Sequence, residues 1–173
     1  AGRLESQKNF QALITAWKTV DARHPDWKLS VYGDGSQKES LQDQIDSMGL
    51  KGKVTLKGRT NDVRKELLGS SCLVMSSRFE GFPMILLEAL ATGLPIVSYD
   101  CPKGPSEIVT IGANGYLAKV GDTGTLAQGI CSVIANEELR KRFGAESKRR
   151  SENFSLEKTM EKWDALFKSA LKR

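Results

Sequence analysis

The chain has 173 residues, 39% of them hydrophobic and 27% charged, with a formal net charge of +5. That length buries a core without disulfides or metal, and the balance excludes a disordered or fibrous chain. No apolar run approaches the roughly 20 residues of a membrane span, and the segment from Ala1 has no signal-peptide pattern, so one α/β domain in the cytoplasm is the expectation.

The 26 Lys and Arg are interleaved with 21 acidic residues, which argues against nucleic acid as a partner. The densest basic stretch, LRKRFGAESKRR, reads as a solvated helix face, with contact to anionic lipid headgroups as the alternative. Cys72, Cys101 and Cys131 are odd in number and lie far apart. They form no metal-ligand cluster and are read as reduced thiols.

In chain order, Phe10, Leu13, Ile14, Trp17 and Val20 recur at helical spacing, and the run 27–32 reads as a buried strand. The alternation predicts a helix near 37–48, a strand near 53–57, a helix near 62–69 and a strand near 71–75. A helix near 84–92 and strands near 95–98 and 115–118 follow, then an all-helical tail. Strands separated by helices imply parallel pairing with right-handed crossovers, hence a doubly wound, mostly parallel Rossmann-like sheet with helices on both faces. Gly33, Gly35, Gly58 and Gly81 fall where strands end, and ligands bind at that edge of open parallel sheets. A loop enters the first helix directly from Ala1 with no strand before it, and a piece of a longer protein is expected.

The stretch SSRFEGFPMILLEALATGLP carries most of the chemistry. Pro83 suits the first helical position, Gly81 ahead of it leaves room for a ligand, and the helix N-terminus attracts anions. MILLEALA is apolar all round except for Glu88, which predicts a buried helix whose single carboxylate needs a partner. Glu88 lies five residues past the helix start, roughly 7.5 Å along the axis. A diphosphate at the helix tip would therefore bring its ribose hydroxyls to Glu88; the alternative is a buried Lys or Arg. Glu80 points toward whatever is attached beyond the phosphates. In GRLESQKN, Arg3 and Lys8 flank the loop that opens the first helix, and the two cations suit one anion.

Glu80 and Glu88, set in RFEGFPMILLEALATGLPIV and preceded by GRL and KN, resemble family 4 of the retaining glycosyltransferases, two-domain enzymes of the GT-B fold. The similarity covers nearly the whole chain, against the C-terminal, donor-binding domain. It implies transfer of a hexose or N-acetylhexosamine from a nucleoside diphosphate sugar to a saccharide or lipid-linked acceptor, with Arg3, Lys8 and Glu80 as the catalytic residues. The diphosphate is expected on Arg3, Lys8, Gly33, Pro83, Met84, Ile85 and Leu86, and the sugar on Glu80, Gly81 and Phe82. The ribose is expected on Glu88 and the base against Lys57, Gly58 and Arg59. Gly35 shares the glycine turn of Gly33. The loop CPKGPSEIV replaces the paired glycines usual in the family but keeps an acid at Glu107, and it leans toward UDP-sugar donors and surface polysaccharide or glycolipid synthesis. Retention is implied too, with a donor phosphate oxygen taking the acceptor's proton.

No cofactor or divalent metal is expected, because no paired acids of the DxD kind are present and the cations meet the diphosphate charge instead. The expected partners are the donor, an N-terminal acceptor domain outside this chain and, peripherally, the inner face of a membrane. Without the acceptor half the chain is expected to bind donor and transfer little. A binding module without transferase activity, or a related two-domain epimerase or phosphorylase, stand as alternatives. The last helix, with Met160, Trp163, Leu166, Phe167 and Ala170 on one face, reaches toward the acceptor half or packs on its own domain. His24 reads as a capping or surface residue, and Trp17, Trp27, Met75 and Phe82 as core or loop anchors.

Overall fold

Short strands bracketed by helices dominate the computed structural model, which describes residues 1–171. The strands are β1 (Leu29–Tyr32), β2 (Val54–Gly58), β3 (Leu73–Met75), β4 (Ile96–Tyr99) and β5 (Gly115–Ala118). The helices are α1 (Phe10–Arg23), α2 (Lys38–Ser47), α3 (Val63–Leu68), α4 (Met84–Thr92), α5 (Pro105–Ile108), α6 (Thr123–Ala135), α7 (Glu137–Ser151) and α8 (Leu156–Ala170). Every strand pairing is parallel, β1 with β2 and β3–β4–β5 in that order. The predicted α/β architecture is what forms. Its one addition is α5, a single turn in the crossover from β4 to β5.

β4 shows why helices must cover both faces. All four of its residues are buried, and successive side chains point to opposite sides. Val97 and Tyr99 join the core made by α1 and α6, with Leu13, Ile14 and Trp17 against Leu126 and Ile130. Ile96 joins the core of the other face with Leu67 of α3, Leu86 and Leu90 of α4, and Ile108. Such two-sided burial favours continuous apolar runs over alternation, and IVSY departs from one only at Ser98, whose buried hydroxyl donates to Tyr99 O at 2.7 Å.

α7 bears out the basic stretch as a solvated face, with Lys141, Arg142, Lys148 and Arg149 exposed, and adds a buried face behind it. Phe143, Gly144 and Ser147 are buried, and several of its charges serve the fold. Ser147 Oγ and Lys148 Nζ donate to the Leu94 and Ala91 carbonyls at the end of α4, both at 2.7 Å. Arg140 donates to carbonyls of Val133 and Ile134 near the end of α6 and lies over the Trp27 ring. Cations at helix C-termini satisfy orphan carbonyls and oppose the helix dipole. The close approach of α7 to α4 depends on glycine: a Cβ on Gly144 would stand 2.4 Å from the Gly93 carbonyl oxygen.

His24 caps the C-terminus of α1, donating its N–H to Val20. Trp17 and Met75 are core residues, Trp27 is half-buried, and Phe82, 43% exposed, lies 6.3 Å from the Phe154 ring. All three thiols are free, and burial pushes that of Cys72 up to about 11. α8 exposes Leu156, Met160, Trp163, Leu166 and Phe167 and has no buried residue, so packing on its own domain is not what its apolar stripe does. No helix among the described residues is long and apolar enough to cross a membrane.

Candidate functional site

The loops that leave β1, β2 and β3 converge with the N-terminal loop, residues 1–9, at one edge of the molecule. Two glycines let them touch. A Cβ on Gly33 would stand 1.8 Å from the Gly2 carbonyl oxygen, and one on Gly35 2.6 Å from that of Leu4. Backbone bonds fix the approach, from Gly2 N–H to Tyr32 O at 2.8 Å and from Leu4 N–H to Asp34 O at 2.9 Å. Glu5 then accepts from the Ser36 N–H and hydroxyl at 2.9 and 2.8 Å, and these bonds hold its carboxyl below the usual range.

The same N-terminal loop is stitched to the loop after β3. Arg78 N–H donates to Gln7 O at 2.8 Å, Gln7 Nε2 to Phe79 O at 3.0 Å, and Ser76 Oγ to Lys8 O at 2.9 Å. Asn9, which leads into α1, adopts the left-handed conformation with φ 52°, which Asn tolerates better than most residues. Lys8 and Glu80 thereby meet, Nζ to Oε1 at 2.6 Å, with side chains 20% and 8% exposed. The sequence assigned these residues to different parts of one ligand; here they are a partly buried ion pair.

α4 departs from expectation in two respects. Pro83 is not the first helical residue. Its ψ of 90° is extended, and the helix begins at Met84, because the Pro83 ring is wedged against Gly104. A Cβ on Gly104, whose φ is +103°, would stand 2.3 Å from Pro83 Cδ. The loop CPKGPSEIV thus positions the tip of α4, while its Glu107 is exposed. Leu86 N–H already donates to Pro83 O at 2.9 Å, so the free amides of the first turn belong to Met84 and Ile85.

The second departure concerns Glu88. The helix is not apolar all round, because Met84, Glu88 and Ala91 form a solvent-facing stripe while Leu86, Ala89 and Leu90 are buried. Their spacing of four and then three residues keeps them on one face. Glu88 is an exposed acid one turn behind the open helix tip, not a buried one, and no ion pair to it forms among the described residues. Gly81, also exposed, has open space where a side chain would stand.

Arg3, Gly33 and Arg59 line one cleft of about 270 Å³, with Thr60 beside them. Lys8, Ser77 and Ile85 border a smaller recess at the tip of α4, where the buried Ser77 Oγ has no partner. Gly58 closes the turn by accepting from the Gly33 N–H at 2.7 Å. Lys57 is exposed on β2 and is not among the residues that line this cleft. Gln7, Asn9, Ser76 and Ser77 were missed by sequence reasoning. Their signal, polar residues beside each matched motif, is legible only once the two loops are known to touch. Among the described residues no group of three or more His, Cys, Asp or Glu is placed to hold a metal ion.

Residues 1–150 match the family model described as glycosyl transferases group 1. The chain is 32% identical over 165 residues to an uncharacterized glycosyltransferase of Haemophilus influenzae, covering 95% of this chain and 47% of the relative. It is also 32% identical over 163 residues to the amylovoran biosynthesis glycosyltransferase AmsD of Erwinia amylovora, 94% of this chain and 45% of the relative. Among solved structures it resembles a mutant of Staphylococcus aureus TarM in complex with fondaparinux, α-GlcNAc-glycerol and UDP. The TM-score is 0.91 and the identity 30%, with 96% of this chain and 34% of that one covered. It resembles the pneumococcal O-GlcNAc transferase GtfA in complex with UDP and GlcNAc with a TM-score of 0.86 and 25% identity, covering 98% and 34%. The chain spans about half the length of these curated relatives or a third of these solved chains. A GT-B-type α/β domain, with its loops gathered at the carboxyl edge of the strands and a family match over most of its length, makes this chain a member of the group 1 glycosyl transferases.

Proposed function

We propose that this chain is the donor-binding half of a retaining, family 4 glycosyltransferase and holds a nucleoside diphosphate hexose or N-acetylhexosamine, a UDP-sugar by preference. The observation that carries the reading is the meeting of Lys8 and Glu80 beside the free Met84 and Ile85 amides. The cleft lined by Arg3, Gly33 and Arg59 and the exposed Glu88 support it. The diphosphate lies between Arg3, Lys8 and the tip of α4, the ribose diol donates to Glu88, the base rests by Gly58 and Arg59, and the sugar reaches Glu80, Gly81 and Phe82. UDP in the TarM and GtfA complexes agrees with this choice of nucleotide.

In the reaction the bond between the sugar's anomeric carbon and the diphosphate breaks while the acceptor oxygen bonds to the same face. The acceptor's proton passes to a donor phosphate oxygen. Negative charge grows on the departing diphosphate, and Arg3, Lys8 and the helix dipole stabilise it. Glu80 releases Lys8 to the phosphates and turns to the sugar. The acceptor, a growing surface polysaccharide or glycolipid, belongs to a second domain, and this chain alone binds donor and transfers little.

Calorimetric titration with UDP, GDP and ADP tests the reading. One nucleotide is expected to bind with micromolar to millimolar affinity, unchanged by EDTA. Glu88→Ala is expected to lose about tenfold, and Arg3→Ala with Lys8→Ala more, since each charge-assisted hydrogen bond contributes about 1.5–3 kcal/mol. Equal binding by parent and variants overturns the assignment.

A further inference from the structure

Ser77 follows β3 into the loop that carries Glu80, and it is 1% exposed. Alternation along the strand sets its direction. Leu73 and Met75 turn toward the core under α4, while Ser76, on the opposite side, donates its hydroxyl to Lys8 O at 2.9 Å. Two residues past Met75, Ser77 therefore falls on the α4 side, beneath the first turn of that helix.

Buried hydroxyls are paired as a rule, because an unpaired one gives up its hydrogen bonds to water and receives none in return. Ser77 Oγ has no partner. Trp17, Asp21, Gln37 and Tyr99 also hold buried side-chain atoms without partners, but none of these four borders the recess that Ser77 shares with Lys8 and Ile85. The size of that recess limits its occupant. A volume of about 10 Å³ admits one oxygen-sized atom, not a whole phosphate or sugar. The groups around it decide the charge of that atom. Lys8 brings a cation, Ile85 an amide at the positive end of the helix dipole, and Ser77 a hydroxyl able to donate, so an anionic oxygen is favoured. The Ser76 hydroxyl does not compete, being engaged with Lys8 O.

We propose that Ser77 is a further donor-binding residue, whose hydroxyl donates to one non-bridging oxygen of the phosphate that carries the sugar. This rests on the donor-binding reading above. That reading puts the sugar at Glu80, the ion-pair partner of Lys8, and so sets the sugar-bearing phosphate, rather than the one next to the ribose, beside the recess. The hydroxyl gains its hydrogen bond only when ligand is present. Ser77 thus selects a diphosphate over a monophosphate without stabilising the free chain.

The test is calorimetry of the parent and Ser77→Ala with UDP and UMP, with thermal melts of the nucleotide-free chains. UDP is expected to bind the variant at least about tenfold more weakly, the loss of one hydrogen bond to a charged group, and UMP less than about twofold more weakly. The melting temperature without nucleotide should stay level or rise, since the substitution removes a buried group that has no partner. Ser77→Cys keeps the shape with a weak donor and should bind as the alanine variant does, which separates the lost hydroxyl from an emptied space. Parental UDP affinity in Ser77→Ala, while Arg3→Ala with Lys8→Ala weakens binding, sinks the part given to Ser77 alone. Equal losses for UDP and UMP do the same, as does a lowered melting temperature with parental affinity, the mark of a hydroxyl that holds a trapped water. A parent that binds UDP no better than UMP, and no better than its Arg3→Ala, Lys8→Ala variant, overturns the donor reading and this proposal with it.

Discussion

Lys8 and Glu80 show how a single pair joins stability to ligand chemistry. With the Glu80 side chain 8% exposed and its carboxylate 2.6 Å from Lys8, removing Lys8 strands an acid in a poorly solvated place, a loss of about 1–3 kcal/mol. Lys8→Met is therefore expected to lower the melting temperature, and Lys8→Met with Glu80→Gln to restore most of it. Nucleotide affinity is expected to stay low in both, because the cation proposed for the phosphates is gone from each. Thermal melts with and without UDP separate the two effects, and recovery of UDP binding in the double variant would sink the role given to Lys8. Arg3, Lys8, Glu80 and Glu88 were all named from their motifs, and the structure brings Lys8 and Glu80 together. The Lys8–Glu80 pair was not legible, since a 72-residue separation leaves no local pattern. The exposure of Glu88 was misread because Leu86, Ala89 and Leu90 set the apparent polarity of a helix whose other stripe faces solvent.

At the scale of elements, the strands and helices lie within a few residues of their predicted ranges, because each is a short apolar run closed by glycine or by a cap such as Asp62 before α3 or Asp122 before α6. The buried face of α7 escaped such reading. Charges dominate the helix's composition, and only the packing shows that Gly144 and Ser147 face inward. Gly144→Ala would drive a methyl group into the Gly93 carbonyl, 2.4 Å from the ideal Cβ position. It is expected to destabilise the chain by about 1–3 kcal/mol as α7 shifts off α4, which urea denaturation measures. An unchanged midpoint would mean that the helices separate freely. Donor affinity should fall less than stability, since α7 meets α4 near its end, at Ala91 and Leu94, rather than at its tip.

For the whole molecule, every strand pairing is parallel, and the pairings fall into two ladders, β1–β2 and β3–β4–β5. Fold class was legible throughout the chain, from the alternation of apolar runs. The interruption between β1 and β3 was not, because a sequence shows which strands exist and not which edges lie open.

The stitching of residues 1–9 to the loop after β3 bears on how preparations of this protein can be judged. Lys8 and Glu80 stand 72 residues apart in the sequence, so a molecule in which the two loops have come apart has lost their ion pair. With the nucleotide seated as proposed, the stoichiometry of a titration would accordingly count correctly assembled molecules in a sample, an active-fraction assay that needs neither acceptor nor turnover.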